Sequence, residues 1–349
     1  MPDAPIAPET DLPIDEMRDG LVPPPSYDHV MSHREIDPTL PVKIHPIVIY
    51  PFVHPRDTQH LNVLYNYLKD LCKNDIYARP LTIVNRQTLD RVTAHPTIGR
   101  DERAKLWNNL TTFLDGVVKP VSDLVPAWCV DTCQMWLRGL GDACDTNKAA
   151  GGIYWLIPGD FHYAGASGQE VLGKMSQIPQ TLYRENGIDL AIGEISVPLN
   201  SAKQLIDTYG TYGLLYNWFP AEAQAIRQVT DKPRTEFFAI SDGFLRYVLS
   251  KRWYGYEQTI VILLHAFVGS QLSRNIRRID LGNIADDEVG RSRLDVAMQQ
   301  VERTERVLKL FWRERNTTDR DWREKFRRLD LQSEQVRNSA MIILEQILS

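Results

Sequence analysis

Between Ile44 and Val84 a strand, a helix and a second strand follow one another, and that order constrains the fold more than any other feature. Ile44-His45-Pro46-Ile47-Val48-Ile49-Tyr50-Pro51 is an apolar run stopped by proline, the pattern of a buried strand. Leu61, Leu64, Tyr65, Leu68 and Leu71 then recur at helical spacing within residues 57–72. Leu81-Thr82-Ile83-Val84 is the second short strand. A helical crossover of about a dozen residues or more is what joins parallel neighbours, whereas antiparallel neighbours need only a short turn. The chain is therefore predicted to be α/β, with a mostly parallel sheet flanked by helices.

The rest of the chain extends that pattern. Residues 100–145 read as mostly helical: Leu106, Leu110, Phe113 and Leu114 form one amphipathic face, and Trp128 to Ala143 forms another. Gly151-Gly152 opens a strand that runs through Tyr154-Trp155-Leu156-Ile157 to Pro158-Gly159. Further short strands are predicted around Ile188 to Gly193 and Phe237 to Ile240, with helices over Ser201 to Trp218, Asp242 to Leu249 and Tyr256 to Leu272. From about residue 285 glycine and proline nearly vanish, and Leu294, Met298, Val301, Leu308 and Phe311 recur among charges. Asn316-Thr317-Thr318-Asp319 interrupts them, so the end of the chain is predicted to be a helical hairpin, with Thr318 or Asp319 as the second N-cap. Such a hairpin packs on its own core or on a second copy of the chain, and a homo-oligomer through the C-terminal helices is one expectation. Residues 1–44 are rich in proline and acidic side chains without apolar periodicity, as in a disordered arm. Pro24-Pro25-Ser26-Tyr27 within it has the form of a WW-domain ligand. The predicted organisation is an arm over 1–44, a catalytic domain over 45–284 with a helical insertion near 95–145, and the hairpin over 285–349.

Composition narrows the functions. The formal net charge is -5, which does not favour nucleic acid as a partner. The Arg-rich stretch from Arg303 to Arg328 is interleaved with Glu302, Glu305, Glu314, Asp319, Asp321 and Glu324, so its field is largely cancelled. Four cysteines in 349 residues are too few for a disulfide scaffold. Cys129 and Cys133 lack the partners of a structural zinc site. No signal-peptide pattern opens the chain. The longest apolar run, Thr259 to Phe267, is far short of the ~20 residues of a membrane span. The expectation is a cytoplasmic protein with at most peripheral membrane contact.

Chemistry is concentrated at Ile157-Pro158-Gly159-Asp160-Phe161-His162-Tyr163. A strand that ends in this way delivers a carboxylate and an imidazole to the rim of a sheet, and ligands of open α/β sheets bind beyond the carboxyl ends of the strands. Both side chains can hold a divalent ion. An Asp after Pro-Gly also serves as a plain turn residue; the histidine two residues on favours a ligand site.

Read with three other segments, this motif resembles the GT-A-fold glycosyltransferases, in particular their dolichyl-phosphate mannose synthase-like branch. The segments are the strand ending at Pro51, Gly187-Ile188-Asp189-Leu190-Ala191-Ile192-Gly193, and Phe237-Phe238-Ala239-Ile240-Ser241-Asp242-Gly243 leading to Tyr254-Gly255-Tyr256-Glu257. The resemblance covers roughly residues 44–270. It implies a GT-A (Rossmann-like) sheet, a nucleotide-diphosphate sugar as donor, and Mn2+ or Mg2+ held by Asp160 and His162. It further implies Pro51 at the nucleotide, Arg184 and Lys203 as candidates for diphosphate charge, and Asp242 or Glu257 as the base. Two departures stand out. Pro158 occupies the first acidic position of the family motif, and His162 replaces its glutamine. The acidic pair after the family's second strand is also missing, since Val84 is followed by Asn85-Arg86-Gln87. The alternatives are a relative that keeps the fold without catalysis and a nucleic-acid-associated protein.

Overall fold

The computed structural model describes residues 36–49, 58–85, 100–127, 132–159, 161–197, 201–250, 258–267, 275–283 and 294–348. Most of the N-terminal arm, including Pro24 to Tyr27, lies outside them. Attachment begins before the predicted boundary at 44, because Asp37 bridges to Ala149 and donates its amide to the Lys148 carbonyl.

The centre is a seven-stranded sheet in the order β3-β2-β1-β4-β6-β5-β7. Its strands are β1 (Ile44–Ile49), β2 (Leu81–Asn85), β3 (Asp123–Ala127), β4 (Ile153–Pro158), β5 (Leu190–Ser196), β6 (Phe238–Ser241) and β7 (Ile276–Asn283). Every pairing is parallel except those of β6, which runs antiparallel to both β4 and β5. The helices are α1 (Thr58–Leu71), α2 (Arg100–Phe113), α3 (Thr132–Thr146), α4 (Ala166–Met175), α5 (Gln177–Arg184), α6 (Ala202–Leu205), α7 (Tyr212–Trp218), α8 (Pro220–Val229), α9 (Asp242–Leu249), α10 (Gln258–Phe267), α11 (Leu294–Asn316) and α12 (Trp322–Leu348). π-helical turns follow α2 at Leu114–Val118 and join α6 to α7 at Ile206–Thr211.

Strand alternation splits the core into two layers. Ile47, Ile49, Tyr154, Leu156, Ile192 and Phe238 face α3, α7–α10 and the C-terminal helices. Ile44, Val48, Trp155, Ile157, Ala191 and Ala239 face α1, α2, α4 and α5. The sheet is thus buried on both faces, as parallel sheets are.

Two strands depart from the sequence expectation. Residues 95–145 are not a purely helical insertion: β3 lies among them and pairs with β2 in register from Leu81↔Asp123 to Asn85↔Ala127. β3 is an edge strand that carries Asp123 and Pro126, and proline is tolerated only where its missing donor is not needed. At the other edge β7 occupies a stretch to which the sequence reading assigned no element, with exposed Arg277, Arg278 and Asp280. The hairpin forms as predicted. Asp319 builds its turn, its carboxylate accepting from the Asp321 amide at 3.1 Å and its carbonyl from the Trp322 amide at 3.2 Å. Its apolar stripe, including Val301, Leu308 and Phe311, packs into the chain's own core. Among the described residues no helix is long and apolar enough to cross a membrane.

Candidate functional site

The sheet winds in opposite directions from β1. Its chain-order neighbour β2 lies on one side and β4 on the other. Such a reversal leaves a crevice above the carboxyl ends of the two strands, because their connections leave in opposite directions. Here the crevice lies above Ile49 and Pro158, which are register partners. The Gly159 amide donates to the Ile49 carbonyl at 2.7 Å and ties the two ends together.

Residues beyond the end of β4 alternate inward and outward. Phe161 packs edge-on against Phe237 and Tyr163. Tyr163 is fully buried and donates its hydroxyl to the Pro158 carbonyl at 2.7 Å, closing the turn. His162, between these two anchors, is exposed. The helix behind it also constrains the turn: a Cβ on Gly168 of α4 would meet the His162 carbonyl at 2.1 Å. Only glycine permits that approach. On the other side stands His60, in the first turn of α1 and almost wholly buried, with its ring centroid 5.4 Å from that of His162.

The remaining sequence-predicted residues divide between the two rims. Pro51, Asp160 and Glu257 lie outside the described residues, and Lys203 is described only as backbone at the start of α6. α6 follows the carboxyl end of β5, so Lys203 starts from the crevice side. α10 also begins there: the Thr259 hydroxyl donates to the Thr235 carbonyl, and the Thr235 hydroxyl donates to the Gly193 carbonyl of β5. Glu257 immediately precedes that helix start.

Arg184 and Asp242 are on the opposite rim, which corrects the expectation that they join His162. α5 carries the chain back to the amino end of the sheet before β5 begins, so Arg184 ends up near Tyr77, whose hydroxyl accepts from Gln180 of α5. β6 runs antiparallel, so its last residue, Ser241, pairs with Ile153 at the amino end of β4. Asp242 follows, its amide donating to the Gly152 carbonyl. The six residues of β4, at about 3.3 Å each, separate it from the crevice. Asp242 is also already engaged. It accepts from the Tyr154 hydroxyl at 2.7 Å and from Arg246 at 2.8 and 3.2 Å.

The structure also brings forward groups that sequence reasoning missed. Glu194, near the carboxyl end of β5, points into the α7–α8 layer and is almost wholly buried. It accepts from the Thr230 hydroxyl at 3.2 Å, and Arg278 lies 3.7 Å away. Burial outweighs both and raises its pKa above the ordinary glutamate value. Beside it the Lys232 amide donates to the Thr230 hydroxyl, and the Lys232 ammonium donates to Gln204 and sits 3.5 Å from Asp207. Asp207 Oδ1 and Thr211 Oγ1, both on the π-helical turn, are buried without a hydrogen-bond partner. π-turns recur at functional sites, and perturbed carboxyls mark candidate acids and bases as well as structural ion-pair networks. The available signal was a charge in an otherwise apolar strand at position 194, followed by a second acid at 207.

Among the described residues no group of three or more His, Cys, Asp or Glu is arranged to hold a metal ion. No family model matches the chain, and no curated protein matches it. Solved structures do. One, described as a mycobacterial protein, aligns with a TM-score of 0.45 at 13% identity over 75% of each chain. Another is glucosyl-3-phosphoglycerate synthase from Mycobacterium tuberculosis in complex with Mn2+, uridine diphosphate and phosphoglyceric acid. It aligns at 0.44 and 14% identity, over 75% of this chain and 78% of that one. The same enzyme with phosphoglyceric acid alone aligns at 0.42 and 15% identity, over 75% and 80%. Likenesses at this level assign neither family nor activity to the chain.

Proposed function

We propose that this chain is a nucleotide-sugar-dependent glycosyltransferase of the GT-A type, with its donor diphosphate in the crevice between β1 and β4. The observation that carries this reading is the reversal of strand order at β1, with the turn after β4 presenting His162 at that point. The motif order from Pro51 to Glu257 supports it from the sequence side.

A carboxylate and an imidazole two residues apart fit Mn2+ or Mg2+, manganese-like ions the better of the two. Asp160 and His162 would hold the ion, which supplies charge to neutralise the leaving diphosphate. Phe161 and Tyr163 anchor the backbone on either side of His162, which limits how far that residue has to move when donor binds. Lys203, near the start of α6, would supply positive charge for the diphosphate. Glu257, just before α10, takes the proton of the acceptor hydroxyl. Arg184 and Asp242 hold no role in the crevice. The protein works in the cytoplasm on a soluble acceptor. If it assembles as a homo-oligomer through the C-terminal helices, the outward positions Leu331, Ile342 and Ile347 of α12 offer apolar surface for it.

A second reading has one observation in its favour. Pro158, at the family's first acidic position, is a buried strand residue with no donor atom in its side chain. A relative that binds nucleotide without transferring sugar would look the same. Calorimetry with Mn2+ and a panel of nucleotide diphosphates and nucleotide sugars separates the two. The transferase reading expects a raised melting temperature, loss of that shift in Asp160→Ala, and turnover of at least one donor. Binding without turnover across donors and acceptors favours the second reading. No response to any nucleotide refutes both.

A further inference from the structure

α12 has two faces. Ser333, Ala340 and Leu344 are buried on its inner side. On its outer side Leu331 is 66% exposed and Ile342 54%. About three turns of helix separate them, so they lie on one line. Arg328, Gln335, Asn338 and Glu345 are exposed on that same line. The line therefore reads Arg328-Leu331-Gln335-Asn338-Ile342-Glu345, in alternating steps of three and four residues. That is the spacing of a coiled-coil seam.

The chemistry of the seam is palindromic. Outward from a centre between Val336 and Arg337 come an amide on each side, then an apolar side chain on each side, then a base at one end and an acid at the other. A second copy laid antiparallel across this face sets Gln335 opposite Asn338, Leu331 opposite Ile342 and Arg328 opposite Glu345. A twofold axis makes each of these contacts twice. Beside the seam the same register sets Arg327 opposite Gln346 and Glu334 opposite Ser339, so no like charges meet. A parallel arrangement would set Arg328 on Arg328 and Glu345 on Glu345. Charge thus selects direction and register, as it does in designed and natural helix pairs. Arg328 and Glu345 enter no ion pair among the described residues, whereas Lys325 and Arg337 of the same helix are held by Asp319 and Glu305.

We infer that α12 pairs antiparallel with α12 of a second copy of the chain, through Leu331 and Ile342, with Arg328 and Glu345 fixing the register. The inference rests on the homo-oligomer reading and gives that oligomer a face, a symmetry and a register. The contact is a single helix pair, at the small end of specific interfaces, so it forms and dissociates with protein concentration.

The test is sedimentation velocity on the full-length chain over about a hundredfold range of concentration at low salt. The wild type is expected to pass from monomer to dimer. Leu331→Glu, Arg328→Glu and Glu345→Arg are each expected to weaken the dimer at least ~10-fold, because each sets a charge against an apolar group or a like charge. All three positions are exposed, so circular dichroism is expected to show each variant folded. An equimolar mixture of Arg328→Glu and Glu345→Arg is expected to dimerise as the wild type does, since the mixed pair places opposite charges at both ends of the seam. A wild type that stays monomeric overturns the inference and the homo-oligomer reading together. A dimer that Leu331→Glu leaves intact overturns the inference and leaves an oligomer through another face. Single charge variants that remain weak when mixed overturn the antiparallel register.

Discussion

At Glu194, β5 takes a carboxyl out of water, and the Thr230 hydroxyl, the Asp231 amide and the Arg278 guanidinium offset that only in part. Burial raises its pKa, so the folded state holds the proton more tightly than the unfolded chain. The stability this lends is complete below the unfolded value near 4.5 and is lost as pH rises through the folded value. Glu194→Gln has no charge to bury. Urea unfolding of both proteins from pH 4 to 8 is expected to show the variant gaining on the wild type as pH rises, and a pH-independent difference would refute the assignment. Lys232 presents the opposite case, with a buried ammonium facing a buried carboxylate. Lys232→Met strands Asp207 in the core and is expected to cost about 3–5 kcal/mol, the usual penalty for breaking a buried pair from one side. Adding Asp207→Asn removes the stranded charge and is expected to recover much of the loss. If the double variant is no more stable than Lys232→Met in chemical denaturation, Lys232 does not act through Asp207.

Secondary-structure elements decide which of these residues can meet a ligand, and here direction matters more than identity. β1 and β4 were legible in the sequence because their apolar runs end at proline or glycine, β2 and β5 because they are short apolar runs, and α1 because its leucines recur at helical spacing. β3 and β7 were not legible, for the same reason that sheet edges resist aggregation: both carry charge, and β3 a proline, in place of an apolar run. The direction of β6 was equally hidden. Four residues reveal a strand but not which way it points, and an antiparallel β6 sends Asp242 to the amino rim. His162 was legible because it follows a punctuated strand end. His60 was not, because one histidine in the first turn of a helix carries no pattern. The direction of β6 leads to a specific expectation for Asp242→Ala. It deprives the Tyr154 hydroxyl and Arg246 of their partner and is expected to lower stability by about 1–3 kcal/mol. It leaves any thermal shift by Mn2+ and nucleotide unchanged, in contrast to Asp160→Ala. If Asp242→Ala abolishes that shift while remaining folded, Asp242 belongs to the ligand site.

At the scale of the whole molecule, the C-terminal hairpin is the outer wall of one core layer. Phe311 packs edge-on against Phe219, Trp218 packs against Trp312 and Phe326, and Val301 and Leu308 share a cluster with β1, β4 and β5. Polar contacts run along the same seam. Trp218 Nε1 donates to the Ser333 hydroxyl, which donates to Glu305, and Glu305 also accepts from Arg337. These bonds satisfy a buried carboxylate between α11 and α12 while tying both helices to α7. A hairpin held this way cannot melt ahead of the sheet without exposing the core that both share. Phe311→Ala removes a ring that is 1% exposed and is expected to cost about 3–5 kcal/mol. Because the layer is continuous, the loss is expected to fall on the whole chain. Tryptophan fluorescence, dominated near the seam by Trp218 and Trp312, and far-ultraviolet circular dichroism are expected to report one coincident transition in both the wild type and the variant. Two separated transitions, with fluorescence changing first, would show the hairpin to be an independent unit resting on a sheet that folds without it.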